Sequence, residues 1–128
     1  MSNPKELKYT QEHEWLRIEG NTGTVGITDH AQEALGEVTF VELPDEGRET
    51  SPGDEVGAIE SSKAASSIYA PAAGKIAEVN TALDEDPSPV NSDPYGQGWI
   101  YKIELSEPHQ ADGLMDADAY ENFLKEEE

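Results

Sequence analysis

Lys63 stands apart from every other basic residue in a strongly acidic chain: the next one upstream is Arg48 and the next downstream is Lys75. An isolated primary amine among small neighbours suits one chemistry above others, the acceptance of a covalently attached group. Ser61, Ser62, Ala64 and Ala65 leave that opening, so the Lys63 ammonium is expected to reach out into solvent, within reach of a modifying enzyme. A solubilising loop lysine is the competing reading, and for an arbitrary hairpin lysine it is the commoner one. Other chemistries have less support. Cysteine is absent, which excludes disulfides and thiolate metal sites, so any sulfur redox chemistry would have to come from a cofactor. His13, His30 and His109 show no ligand spacing and read as surface or capping residues, so neither a metal centre nor a hydrolytic site is expected.

The elements around Lys63 must hold it at a tip. Residues 56–60 and 66–70 are short strand-forming runs on either side of it, the pattern of a tight hairpin. Upstream, residues 7–10 and 12–18 read as strands, with Trp15, Leu16 and Ile18 reaching the core. A turn at 21–23 leads to a β-branched strand at 24–28. Thr28 or Asp29 can cap a helix over 29–35, which Gly36 can close. In residues 37–43 the apolar alternation slips between Phe40 and Val41, which suggests a bulge or a strand covered on both faces.

Downstream, residues 75–80 read as a strand, and residues 83–94, with three prolines and four acids, as an extended loop with little regular structure. Residues 99–105 give the strongest alternation in the chain: Trp99, Tyr101, Ile103 and Leu105 on one face of a central core strand. Residues 116–125 read as a C-terminal helix, docked through Tyr120, Phe123 and Leu124 at i, i+3, i+4. The segments 23–27 and 74–79 echo each other as a glycine followed by a short aliphatic strand. Together these elements predict a mainly β fold, a compact sandwich or flattened barrel with one short internal helix and one at the end.

At 128 residues the chain is expected to be one domain, 1–128. No apolar run is long enough to span a bilayer, and the first residues resemble neither a signal nor a transit peptide, so the protein is expected to stay where it is made, in a prokaryote-like cytoplasm. Twenty-eight acidic against eight basic residues give a net charge of −20, which argues against nucleic acid and anionic membranes as partners. Such acidity fits either a surface that steers basic partner enzymes or, the favoured reading, a salt-rich cytosol.

The motif Glu60-Ser61-Ser62-Lys63-Ala64-Ala65-Ser66, followed by Ile68-Tyr69-Ala70-Pro71 and Gly74, resembles the lipoylation site of the glycine cleavage system H protein family. The resemblance extends to Tyr9, His13-Glu14-Trp15, the run from Gly26 to Gln32, Leu35-Gly36-Glu37, Val41-Glu42-Leu43-Pro44, Glu78-Val79-Asn80, Pro94-Tyr95 and Gly98-Trp99. It implies a barrel-sandwich hybrid of the lipoyl- and biotinyl-carrier type. It further implies lipoic acid in amide linkage on Lys63, Glu60 and Gly74 as aids to recognition by the lipoate-attaching enzyme, and Glu14 as an acid near the cavity that shelters the loaded arm. Two positions depart from the family pattern. Ser67 stands where aspartate is frequent, which leaves Glu14 the better partner for the aminomethyl amine, and Ser62 stands where valine is usual, at a tip where it should scarcely affect ligation.

The function implied is that of a non-catalytic carrier, a monomer, passing the aminomethyl group of glycine between three enzymes. These are a pyridoxal-phosphate glycine decarboxylase, a tetrahydrofolate-dependent aminomethyltransferase and a flavin-containing dihydrolipoyl dehydrogenase. The alternative is a lipoyl domain or lipoyl-relay protein serving 2-oxoacid dehydrogenases. Such domains are typically shorter and have a different lysine context. A biotin carrier would favour methionines beside the lysine, whereas Met1 and Met115 are far from it in sequence.

Overall fold

In the computed structural model, which describes residues 3–107 and 113–127, nine strands form two antiparallel sheets. In chain order the elements are β1 (Lys8–Tyr9), β2 (Glu14–Glu19), β3 (Thr22–Ile27), α1 (Asp29–Leu35), β4 (Val38–Glu42), β5 (Glu49–Thr50) and β6 (Glu55–Ser61). They continue with β7 (Ala65–Tyr69), β8 (Gly74–Val79), α2 (Ala82–Glu85), α3 (Pro89–Ser92), β9 (Tyr101–Leu105) and α4 (Ala117–Glu127). The larger sheet runs β1-β2-β3-β9-β8-β5 and the smaller β4-β6-β7. No helix among the described residues is long and apolar enough to cross a membrane.

Side-chain alternation decides which residues fill the space between the sheets. Leu16, Val25, Ile76, Ile103 and Leu105 from the larger sheet meet Val38, Val41, Ile59 and Ile68 from the smaller one. Trp15 faces the opposite way from Leu16. It joins Leu7, Tyr9, Ala117 and Tyr120 in a second cluster beneath α4, where the Tyr9 and Tyr120 rings stack at 4.7 Å. The expected C-terminal helix is therefore present and docked, with Tyr120 fully buried and Phe123 and Leu124 partly so.

The strongest sequence alternation becomes the strand between β3 and β8, and the two segments that echo each other are the pair that flank it. Its start differs from expectation. Pairing begins at Tyr101; Trp99 is only half buried, and Ile100 is fully buried just ahead of the strand. The loop expected over 83–94 is also more regular than its composition implied: α2 and α3 are single turns that insert Leu83 and Val90 into the core. Burying one apolar side chain per turn supplies the stabilisation that prolines and acids alone do not.

Thr28 caps α1, its side chain accepting from the Ala31 amide at 3.2 Å, and Gly36 ends the helix at φ 77° with its N–H bonded to the Gln32 carbonyl. Left-handed backbone of this kind favours glycine. The slip foreseen in residues 37–43 is a bulge in the β4–β6 pairing between Val38 and Phe40.

Candidate functional site

The smaller sheet presents Lys63. β6 and β7 pair from Glu55↔Tyr69 to Glu60↔Ala65, and the connection is closed by Ser61, whose amide donates to the Ala64 carbonyl at 2.8 Å. The Ser61 hydroxyl oxygen accepts from the amides of Lys63 (3.3 Å) and Ala64 (3.1 Å), so a side chain stabilises the turn that carries the lysine. The Ser62 amide donates to the Glu37 carbonyl, tying the tip to the start of β4. Ser62 itself is exposed.

Lys63 is exposed at this tip, as expected, but its side chain does not extend straight into solvent. It lies back beside Gly36, where an added Cβ would come within 3.1 Å of the Lys63 Cε. Asn91 on α3 holds that surface. Its side-chain amide donates to the Gly36 carbonyl (2.8 Å) and to Gln32 (3.0 Å), while its Oδ1 accepts from the Val38 amide (2.8 Å). Nothing local in the sequence pointed to Asn91, because its partners lie more than fifty residues upstream.

Glu60 lies on the same hairpin, three residues before Lys63 and exposed. Gly74 lies in the other sheet, opposite Leu105 in the β8–β9 pairing, where a Cβ would collide with the Glu104 carbonyl oxygen. Close backbone approach thus accounts for glycine there.

Glu14 is the least ordinary of the four. It is 2 % exposed, so it is not a solvated strand acid. Its carboxylate accepts from the Tyr69 amide at 2.7 Å and from the Thr10 hydroxyl at 3.2 Å. Burial pushes its pKa up to about 8, against the lowering effect of those two hydrogen bonds, and the nearby Glu12 charge adds to the rise. Tyr101, whose hydroxyl donates to the Tyr69 carbonyl, is pushed well above the usual tyrosine range, first by burial and then by Glu14.

Two recesses flank β7. One, of about 290 Å³, lies between α1 and the hairpin and is lined by Ile27, Ala31, Leu35, Ile59, Ala64 and Ser67, with His13 and His30 at its wall. The other, of about 500 Å³, is bordered by Glu14, Thr10, Tyr69, Pro52 and Leu114, and Glu12 borders both. Ser67 carries no carboxylate of its own, yet its hydroxyl donates to Glu55, so a carboxylate stands beside this position all the same.

The histidines differ from expectation. His13 is half buried, bonds through Nδ1 to the Tyr120 hydroxyl at 2.8 Å and packs 4.7 Å from the His30 ring. That hydroxyl also meets the Thr28 side chain at 2.8 Å, which ties α4 to the cap of α1. His13 thus has a structural post that its spacing could not reveal. His109 lies outside the described residues.

A flattened two-sheet barrel offering a lysine at a hairpin tip defines the lipoyl- and biotinyl-carrier class. Comparison with known proteins narrows this. The family model for the glycine cleavage H-protein matches residues 7–127. The glycine cleavage system H protein of Cronobacter sakazakii is 57% identical over 129 residues, covering 99% of this chain and 100% of that one. The protein of the same name from Symbiobacterium thermophilum is 55% identical over 123 residues, 96% of each chain. A crystal structure of a glycine cleavage system H protein from Mycobacterium marinum superposes with a TM-score of 0.87 at 40% identity, covering 95% of this chain and 98% of that one. The chain belongs to the glycine cleavage H-protein family.

Proposed function

We propose that this protein is the lipoyl-bearing carrier of a glycine cleavage system, with lipoic acid in amide linkage on Lys63, and that it moves the aminomethyl group of glycine without itself catalysing a step. The observation that carries the reading is an exposed lysine on a turn braced by Ser61, with a largely apolar recess opening beside it. The residues present fit the group: alanines and serines leave the amine accessible, and Ile27, Ile59, Leu35 and Ala31 offer apolar surface for a hydrocarbon arm. When attached, the lipoyl group supplies a cyclic disulfide that can accept a one-carbon amine and two electrons.

The chain's own residues then hold and shelter. Amide formation removes the Lys63 charge, which lowers the cost of laying that side chain against Gly36 and the recess. β7 begins two residues after Lys63, so at about 3.3 Å per residue Ser67 lies at most roughly 13 Å from Lys63 and Tyr69 at most roughly 20 Å. The recess lined by Ser67 is thus the nearer shelter, and Glu14, bound to the Tyr69 amide, lies at the far end beyond Glu12. Its carboxyl is mostly protonated near pH 7, and an entering ammonium would favour its ionised form, as the hydrogen bonds from Tyr69 N–H and Thr10 also do. Exclusion of water from these recesses would protect a labile adduct.

The partners on this reading are the glycine decarboxylase, the aminomethyltransferase, the dihydrolipoyl dehydrogenase and a lipoate-attaching enzyme, served by one domain spanning 1–128 that acts as a monomer in a prokaryotic cytoplasm. Glu60 and Gly74 are assigned to recognition by the attaching enzyme, Glu60 by contact and Gly74 by keeping β8 against β9. Tethering replaces diffusive encounters of a free thiol by presentation on a docked domain. Intact mass of the chain purified from its native source tests this directly: one lipoyl-sized increment is expected, lost in Lys63→Arg, and an unmodified native chain would overturn the assignment.

A further inference from the structure

Among the described residues Phe40 is the one large apolar side chain left exposed, at 48 %. Strict alternation from buried Val38 would place Phe40 inside and Val41 outside. The β4 bulge reverses this: two β4 residues, Thr39 and Phe40, are set against a single step on β6, so Val41 is buried and Phe40 faces out. An aromatic is thereby turned to solvent on the small sheet that carries Lys63.

Cross-strand pairing shows what surrounds it. Phe40 lies opposite Glu60, which lies opposite Ala65; the next outward row is Glu42, Ala58 and Ser67. Within these two rows the residues other than Phe40 and the two glutamates are small, and Glu55, bonded to Ser67, adds a third acid at their edge. This face begins three residues from Lys63, and the lysine side chain leans to the β4 side, over Gly36. Glu60 lies three residues from Lys63 on the same hairpin and Phe40 lies opposite it, so an enzyme face of ordinary size, about 800 Å², centred on the bare amine reaches this row, and one that works on the far end of a loaded arm has less need of it.

We propose that Phe40 is the apolar anchor by which the lipoate-attaching enzyme docks on this face, entering an apolar pocket rimmed by basic side chains that meet Glu42 and Glu60. This rests on the reading of Lys63 as the lipoylated residue. A buried aromatic ringed by charges at the centre of an interface is the usual form of an energetic anchor.

The test is the rate at which unmodified chain takes up lipoate from lipoate, ATP and a lipoate-attaching enzyme, followed by intact mass for wild type, Phe40→Ser and Phe40→Leu. Expected for Phe40→Ser is a KM for the chain raised roughly tenfold or more with kcat little changed, partial recovery in Phe40→Leu, and no fall in the thermal midpoint, since the side chain is half exposed. Added salt should raise the wild-type KM as the acidic rim is screened. A wild type that loads normally with an unaltered KM in Phe40→Ser overturns the docking role alone, and a wild type that never loads overturns it together with the Lys63 assignment. An effect confined to aminomethyl transfer, or a wild-type dimer in sedimentation that Phe40→Ser dissolves, assigns the face to another occupant and equally overturns the proposal.

Discussion

Replacing Glu14 by Gln should flatten the pH dependence of stability, and the structure sets the size of the effect. The carboxyl is 2 % exposed and its pKa is raised from the usual 4.5 to about 8. The folded chain therefore holds this proton more tightly than the unfolded chain does. Stability from this group is fully present below about pH 4.5 and is lost as pH rises through about 8. At 1.36 kcal/mol per pKa unit the loss comes to about 5 kcal/mol across that interval, about 3 of it by pH 7. Gln keeps an oxygen to accept from the Tyr69 amide and cannot ionise, so it escapes the loss. The assay is urea unfolding of both proteins at a series of pH values from 5 to 9 in high salt, which damps the general repulsion of a −20 chain and leaves the difference to position 14. The stability of Glu14→Gln relative to wild type should climb with pH up to about 8 and level off above it. Two curves that stay parallel would refute the claim that Glu14 is a buried carboxyl with a raised pKa.

Three further outcomes follow from geometry and charge. Gly36→Ala should cost about 1–3 kcal/mol, because the residue sits at φ 77° and ψ −154°, and should displace the Lys63 side chain; thermal midpoints and lipoate uptake measure the two effects. Gly74→Ala should lower stability by about 2 kcal/mol or more, because its Cβ has no space against Glu104; an unchanged thermal midpoint with impaired lipoylation would mean that the glycine acts by recognition alone. Raising salt from about 0.01 M to about 1 M should raise the thermal midpoint of the wild type by several degrees, and a flat profile would sink the idea of adaptation to a salt-rich cytosol.

What could be read before folding was local. Small residues between two strand-forming runs made the Lys63 hairpin, Thr28 and Gly36 marked the ends of α1, and the slip after Phe40 announced the bulge, because turns, caps and alternation depend on neighbours a few residues apart. The end-to-end pattern of motifs around Lys63 was also enough to suggest the family.

Tertiary structure decided the rest. Glu14 has the same alternating context as any strand acid, and it becomes buried only because β7 and Thr10 close over it. Loop composition concealed α2 and α3, whose single turns are justified by the core positions of Leu83 and Val90. His13 finds Tyr120 across more than a hundred residues, and Asn91 reaches back to Gly36 and Val38 to hold the ground on which Lys63 rests. Residues close in sequence set the kind of turn on which Lys63 stands; the burial, hydrogen bonds and recesses around it required the two sheets to be brought together, since desolvation and long-range pairing exist only in the packed chain.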